Sequence, residues 1–172
     1  MGILISRNGA RKLTDIFEIR EAYAKYSQAQ SAYWDDLNEK VVLIYKGFTK
    51  HLGLEEKYFS LNGVKTPYVQ LGTYEDGHFE AVRVADFEGD NLSIPFALKV
   101  TLDDDQESIS KEHFIIQLSI QKKDGMYGVI VKQDVGVAKA SIPALFGEKR
   151  QSELYECMAR QILDYLNPAV FS

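Results

Sequence analysis

Cysteine and histidine are scarce in this chain. The single cysteine, Cys157, cannot form an internal disulfide, so an oxidising compartment would not stabilise the fold. The three histidines, His51, His78 and His113, are widely separated and lack the short spacing at which histidine pairs usually bind a metal ion. The sequence therefore predicts a cytoplasmic protein that has no metal ion and no cofactor.

Long apolar segments and excess positive charge are also missing. No segment approaches the roughly 18 consecutive apolar residues that a membrane-spanning helix requires. The run Ile3–Ile5 is too short for a secretory signal, and Gly2 with Ser6 matches a myristoylation pattern that lacks a polybasic second anchor. A net charge of −5 argues against bulk attraction to nucleic acid or anionic lipid. We therefore expect a soluble protein whose partners are other proteins or basic ligands.

The clearest positive signal is the alternation of apolar and polar residues between Ile94 and Val135. This alternation has the period of two that is typical of strands with one buried face. The pair Asp124-Gly125 suits a two-residue hairpin turn, and pairing across it places Leu118 opposite Val131. The apolar face comprises Ile94, Phe96, Leu98, Val100, Leu102, Phe114, Ile116, Leu118, Ile120, Tyr127, Val129 and Val131.

Two more strands and a final helix are predicted on either side of this stretch. Strands are indicated at residues 66–73 and 78–87, joined by the turn Glu75-Asp76-Gly77. Together with the three strands above they predict a five-stranded antiparallel meander sheet over residues 66–135. A helix is predicted at residues 148–166, with Leu154, Met158, Ile162 and Tyr165 on its buried side.

The region from 14 to 52 has the spacing of a long helix. Asp15 and Glu18 have capping-box spacing, and neither glycine nor proline occurs between Ala10 and Lys46. An unbroken helix here would be about 50 Å long, which exceeds the width of a domain of this size. Apolar residues recur at intervals of three and four, namely Ile16, Ile19, Tyr23, Tyr26, Tyr33, Leu37, Ile44 and Phe48.

Two arrangements would accommodate such a helix. In one it breaks near Trp34-Asp35-Asp36 and forms a helical hairpin, whereas in the other it stays whole and packs against a partner. Residues 1–12 are predicted to be a basic arm or an edge strand. The whole chain, 1–172, is thus expected to form one α+β domain, with the C-terminal helix packed on the apolar sheet face.

Enzymatic signals are weak. The serines lack a nucleophile-elbow pattern, no phosphate-binding glycine loop is present, and Cys157 lies in the middle of a predicted helix beside its buried stripe. Asp104 followed by Gln121 and Lys123 faintly resembles a metal-dependent nuclease site, which makes a divalent-metal hydrolase the third hypothesis. We predict that the protein is not an enzyme and has no catalytic residues.

The leading hypothesis is a protein-binding module that acts as a small regulator, inhibitor or immunity-type partner. It would bind another protein, or a second copy of itself, through an aromatic helix surface or a sheet edge. Tyrosine and tryptophan suit protein interfaces because they combine a large contact area with a polar tip. The candidate binding residues are Tyr23, Tyr26, Tyr33, Trp34 and Tyr45.

The alternative hypothesis is a nucleic-acid or nucleotide binder. It would use the polar face of the sheet, which is almost free of carboxylates although the protein is acidic, together with the basic arm Arg7, Arg11 and Lys12. The residues assigned to this face are Lys99, Thr101, Gln117, Ser119, Gln121 and Lys132.

Overall fold

A computed structural model describes residues 13–105, 109–132, 140–144 and 148–172. The predicted arm or edge strand at residues 1–12 lies outside the described residues. The chain divides into two units, Met1–Trp34 and Asp35–Ser172, and the boundary falls within the first helix. The expectation of a single domain stays a prediction.

Helix α1 spans Ile16–His51 without a break, so the single helix is confirmed over the helical hairpin. Asp15 caps its start, because the Glu18 backbone N–H donates to Asp15 Oδ1 at 2.9 Å. The helix is followed by Gly53, whose φ of 68° is the left-handed conformation that often terminates helices.

The fold is α+β, as predicted, and its main sheet is antiparallel. Its order is β4-β3-β5-β6-β7-β8, so β3 lies between β4 and β5, and β8 is a sixth strand that was not predicted. A separate hairpin of β1 and β2 precedes it. The strands are β1 Tyr58–Leu61, β2 Val64–Pro67, β3 Val69–Glu75, β4 His78–Ala81, β5 Ser93–Leu102, β6 Glu112–Lys123, β7 Met126–Lys132 and β8 Ala140–Ala144.

The predicted register of the β6–β7 hairpin is confirmed. Leu118 pairs with Val131 across the two strands, and both side chains are buried. Asp124 and Gly125 have φ angles of 51° and 74°, which is the left-handed turn geometry that matches the twist of the strands. The turn residues Asp124 and Gly125 therefore predict both the pairing of β6 with β7 and the side chains that share the apolar face.

The core of the second unit lies between the apolar sheet face and two helices. These are the 35–51 part of α1 and the C-terminal helix α2, which spans Glu148–Tyr165. Tyr155 approaches α1 over Gly47 and donates to the Leu43 carbonyl at 3.4 Å. Tyr165, which was predicted to be buried, is 59% exposed because it lies in the last turn of α2, although its ring centroid is 5.1 Å from that of Phe114. The helical core residues are Leu37, Val41, Ile44, Phe48, Leu154, Met158 and Ile162.

Candidate functional site

The first unit carries a row of exposed large apolar side chains, which we call the helix stripe. It consists of Ile16, Ile19, Tyr23 and Tyr26, which are 52%, 54%, 70% and 64% exposed. Their spacing of three, four and three residues places them on one face of α1. Phe17 is also 72% exposed, but the rotation of about 100° per residue places it on another side of α1. Apolar side chains exposed together on one face of a helix often mark an interaction site.

Tyr33 and Trp34 continue the aromatic region towards the end of the first unit. Both are half-buried, and their rings contact each other edge to face with centroids 5.1 Å apart. Small residues, Ala22 and Ala29, flank the helix stripe, so another helix could approach its backbone closely.

Tyr45, the fifth predicted binding residue, lies in the second unit and serves its packing. Its hydroxyl donates to the Val69 carbonyl at 3.1 Å, which ties α1 to strand β3. Burial and the neighbouring Tyr58 raise the pKa of Tyr45 above its ordinary value. The structure therefore groups Tyr23 and Tyr26 on the helix stripe and does not bring Tyr45 to that surface.

The predicted polar residues share the sheet face opposite the core, which we call the outer sheet face. The register aligns Ala97, Gln117 and Lys132 in one row across three strands, and Gln121 is exposed on the same face. Thr101 is only 3% exposed, and its hydroxyl lies 3.2 Å from His113 Nδ1. Thr101 is thus a packing residue.

Sequence reasoning missed two aromatic residues on the outer sheet face. Tyr74 of β3 pairs with Phe79 of β4, and the alternation of β3 puts both on the side of Gly72 and Ala97. Lys99 Nζ lies 5.0 Å from the centroid of the Phe79 ring. These positions follow from the placement of β3 between its two partners, for which the sequence has no local signal.

The strand register does not bring together the residues that suggested the third hypothesis. Gln121 pairs with Ser93 at the beginning of β5, whereas Asp104 follows the end of that strand. The two residues are therefore separated by the length of a ten-residue strand, roughly 30 Å. Among the residues that the structure describes, no group of three or more potential ligands could hold a metal ion.

Two ion-pair clusters in the second unit hold carboxylates that are already paired. Lys122 Nζ and the Tyr127 hydroxyl each donate to Asp36 at 2.7 Å, which links the hairpin end to α1. Cys157 is half-buried, and burial raises the pKa of its thiol, which disfavours the thiolate that a nucleophile requires. Neither the paired Asp36 carboxylate nor the Cys157 thiol forms an open reactive centre.

The second cluster joins Asp103, Lys111 and Tyr68. Lys111 Nζ lies 2.5 Å from Asp103 Oδ2, and the Tyr68 hydroxyl donates to the same oxygen at 2.6 Å. Burial alone would raise the pKa of Asp103, but these two hydrogen bonds and the charge of Lys111 outweigh burial and hold the pKa below its ordinary value. Burial and the carboxylate raise the pKa of Tyr68 to about 12.

This cluster predicts an acid-dependent loss of stability. Because folding lowers the pKa of Asp103, the pair stabilises the fold above the unfolded pKa, and this stabilisation is lost as the pH falls through the folded pKa. We expect Asp103→Asn to be destabilised relative to wild type at pH 7 and the difference to shrink below about pH 4. Urea unfolding between pH 7 and about pH 3 measures the free energy of unfolding of both proteins. A difference between them that did not change with pH would contradict the assigned Asp103–Lys111 ion pair.

Within the described part of the chain, no helix is long and apolar enough to cross a bilayer. No protein-family profile matches the sequence, and no curated protein and no solved structure shows significant similarity to it.

Proposed function

We propose that this protein works as a protein-binding module and that the helix stripe associates with the helix stripe of a second copy. The single observation that carries the proposal is the exposure of Ile16, Ile19, Tyr23 and Tyr26 on one face of α1. Leaving such side chains in water forfeits about 1.5–3 kcal/mol for each one that could be buried. A partner that covers the helix stripe recovers part of this free energy.

The spacing of the helix stripe favours another helix as the partner. Alternating intervals of three and four residues form the seam by which two helices interlock in a coiled coil. The seam is self-complementary, since Ile16 and Tyr23 occupy one heptad position and Ile19 and Tyr26 the other. Gln30 continues the seam with a side chain whose amide can both donate and accept hydrogen bonds.

The available area fits a reversible dimer. Two largely exposed tyrosine rings and two half-exposed isoleucines present about 400 Å² of mainly apolar surface in each chain, or about 800 Å² for two chains. This is below the roughly 1,000 Å² of a stable specific interface and is in the range of weak, transient contacts. We therefore expect a dimer that dissociates on dilution.

Light scattering after size exclusion tests the proposal. The wild type is expected to approach twice its chain mass of 19.5 kDa at about 100 µM and to return towards that mass on dilution. Tyr26→Glu is expected to remain monomeric because it places a charge in the seam. A wild type that is monomeric at all concentrations would refute the second copy as the partner.

Gln28→Glu is the matched control, because it introduces the same charge two residues away on the opposite side of α1. It should dimerise like the wild type. Both positions are exposed, so circular dichroism should show equal helix content for the two variants. Equal dimerisation of Tyr26→Glu and Gln28→Glu would show that the helix stripe is not the interface.

A further inference from the structure

We infer that the outer sheet face binds single-stranded nucleic acid, a function separate from the protein contact proposed for the helix stripe. Three properties of this face carry the inference: its charge, its aromatic platform and its neutral hydrogen-bonding groups. All three depend on the strand order and register of the second unit.

Charge is segregated on this sheet. The outward positions of β3 to β7 include Lys99, Lys123 and Lys132 and no aspartate or glutamate, although the chain has a net charge of −5. Asp103, just beyond β5, is neutralised by Lys111. Lysines without competing carboxylates on one surface attract a polyanion, and binding releases the counterions of its phosphates.

Aromatic rings lie at one side of the same surface. Phe79 and Tyr74 are both half-buried, which leaves part of each ring accessible. Gly72 allows Phe79 to lie close to the sheet, since a Cβ on Gly72 would be 2.7 Å from Phe79 Cζ. Unpaired bases stack on such rings, whereas the bases of a duplex are already stacked on each other.

Neutral polar groups connect the aromatic side to the lysines. Gln117 is half-buried next to Ala97 and Lys132, and Gln121 is exposed further along β6. Amides both donate and accept, so they can bond to phosphate, sugar or base edges. The distance from β4 to β7 is about 19 Å, which is enough to contact several nucleotides.

Fluorescence anisotropy with labelled 12-nucleotide single-stranded DNA and RNA of mixed sequence tests the inference. At about 50 mM salt we expect saturable binding that weakens steeply as salt is added. Lys132→Glu is expected to weaken it about tenfold, and Tyr74→Ala to weaken it several-fold. No binding to either oligonucleotide at this salt concentration would overturn the inference.

The matched control is Lys65→Glu, which makes the same charge change on exposed β2 of the separate hairpin. It should change the affinity less than about twofold. Equal losses for Lys65→Glu and Lys132→Glu would show that net charge alone is responsible and would overturn the site. Inorganic polyphosphate is the second probe. If it bound as tightly as DNA, the surface would be a general anion-binding site, and the inference would be overturned.

Using the Tyr26→Glu background keeps this experiment independent of the dimer. Binding in that background supports the outer sheet face even if the helix stripe proves to have another role. Circular dichroism and melting temperature of each variant should match those of the wild type, because the substituted lysines and Tyr74 lie outside the core.

Discussion

Replacing Gly72 with alanine is expected to reduce the free energy of unfolding by about 3 kcal/mol. The new Cβ would overlap the backbone carbonyl oxygen of Glu80 on the neighbouring strand β4. A flexible side chain could move away, but a carbonyl within a strand ladder moves only if β3 and β4 separate. Urea unfolding monitored by circular dichroism measures the loss, and hydrogen exchange should show that the β4 amides open first.

Gly128→Ala is the matched control for this prediction. Gly128 also lies in the main sheet, but its added Cβ would be 3.7 Å from Gln121 Cγ, which is an ordinary contact. We expect its stability to stay within about 0.5 kcal/mol of the wild type. If Gly72→Ala were as stable as Gly128→Ala, the close approach of β3 and β4 would be wrong.

Lys111→Met is expected to destabilise the protein by about 2–3 kcal/mol. Lys111 and Asp103 have side-chain exposures of only 12% and 11%, so removing the ammonium group leaves a nearly buried carboxylate without its main counter-charge. Methionine retains the unbranched packing beside Phe59 and Tyr68, whose ring centroids lie 5.2 Å and 5.8 Å from Lys111 Nζ. The expected loss is therefore mainly electrostatic.

A double-mutant cycle separates the ion pair from packing. Asp103→Asn combined with Lys111→Met should be more stable than the sum of the two single losses predicts, because neither residue is then left as an uncompensated charge. The four proteins are compared by urea unfolding at pH 7. Strictly additive losses would mean that the two side chains do not interact in solution.

Local patterns predicted much of this fold. The β6–β7 hairpin was predictable because Asp124-Gly125 fixes the turn and the alternation fixes the face. The order of β3 and β4 was not, because it depends on β3 pairing with β5 across an intervening strand. Strand β8 was missed since Pro143 interrupts its pattern, yet proline is tolerated at the edge of a sheet.

For the candidate surfaces too, local sequence patterns predicted some positions, whereas others depend on contacts between residues far apart in the sequence. Periodicity placed Tyr26 and Ile44 on one helical stripe, but only tertiary packing makes Ile44 buried and leaves Tyr26 64% exposed. Lys99 and Lys132 were assigned to one face by counting along their strands, whereas Phe79 required knowledge of the strand order. Asp104 and Gln121 form a pattern in the sequence, but the strand register places these two residues near opposite ends of β5.

The position of α2 after strands β3 to β8 in the chain has a consequence for synthesis in the cell. Chains emerge from the ribosome amino terminus first, so strands β3 to β8 are complete before α2 exists. Until then the growing polypeptide cannot bury its sheet beneath Leu154, Met158 and Ile162. The apolar surface of Leu98 and Leu118 is thus incompletely covered during translation, when the nascent chain is open to chaperones and to aggregation.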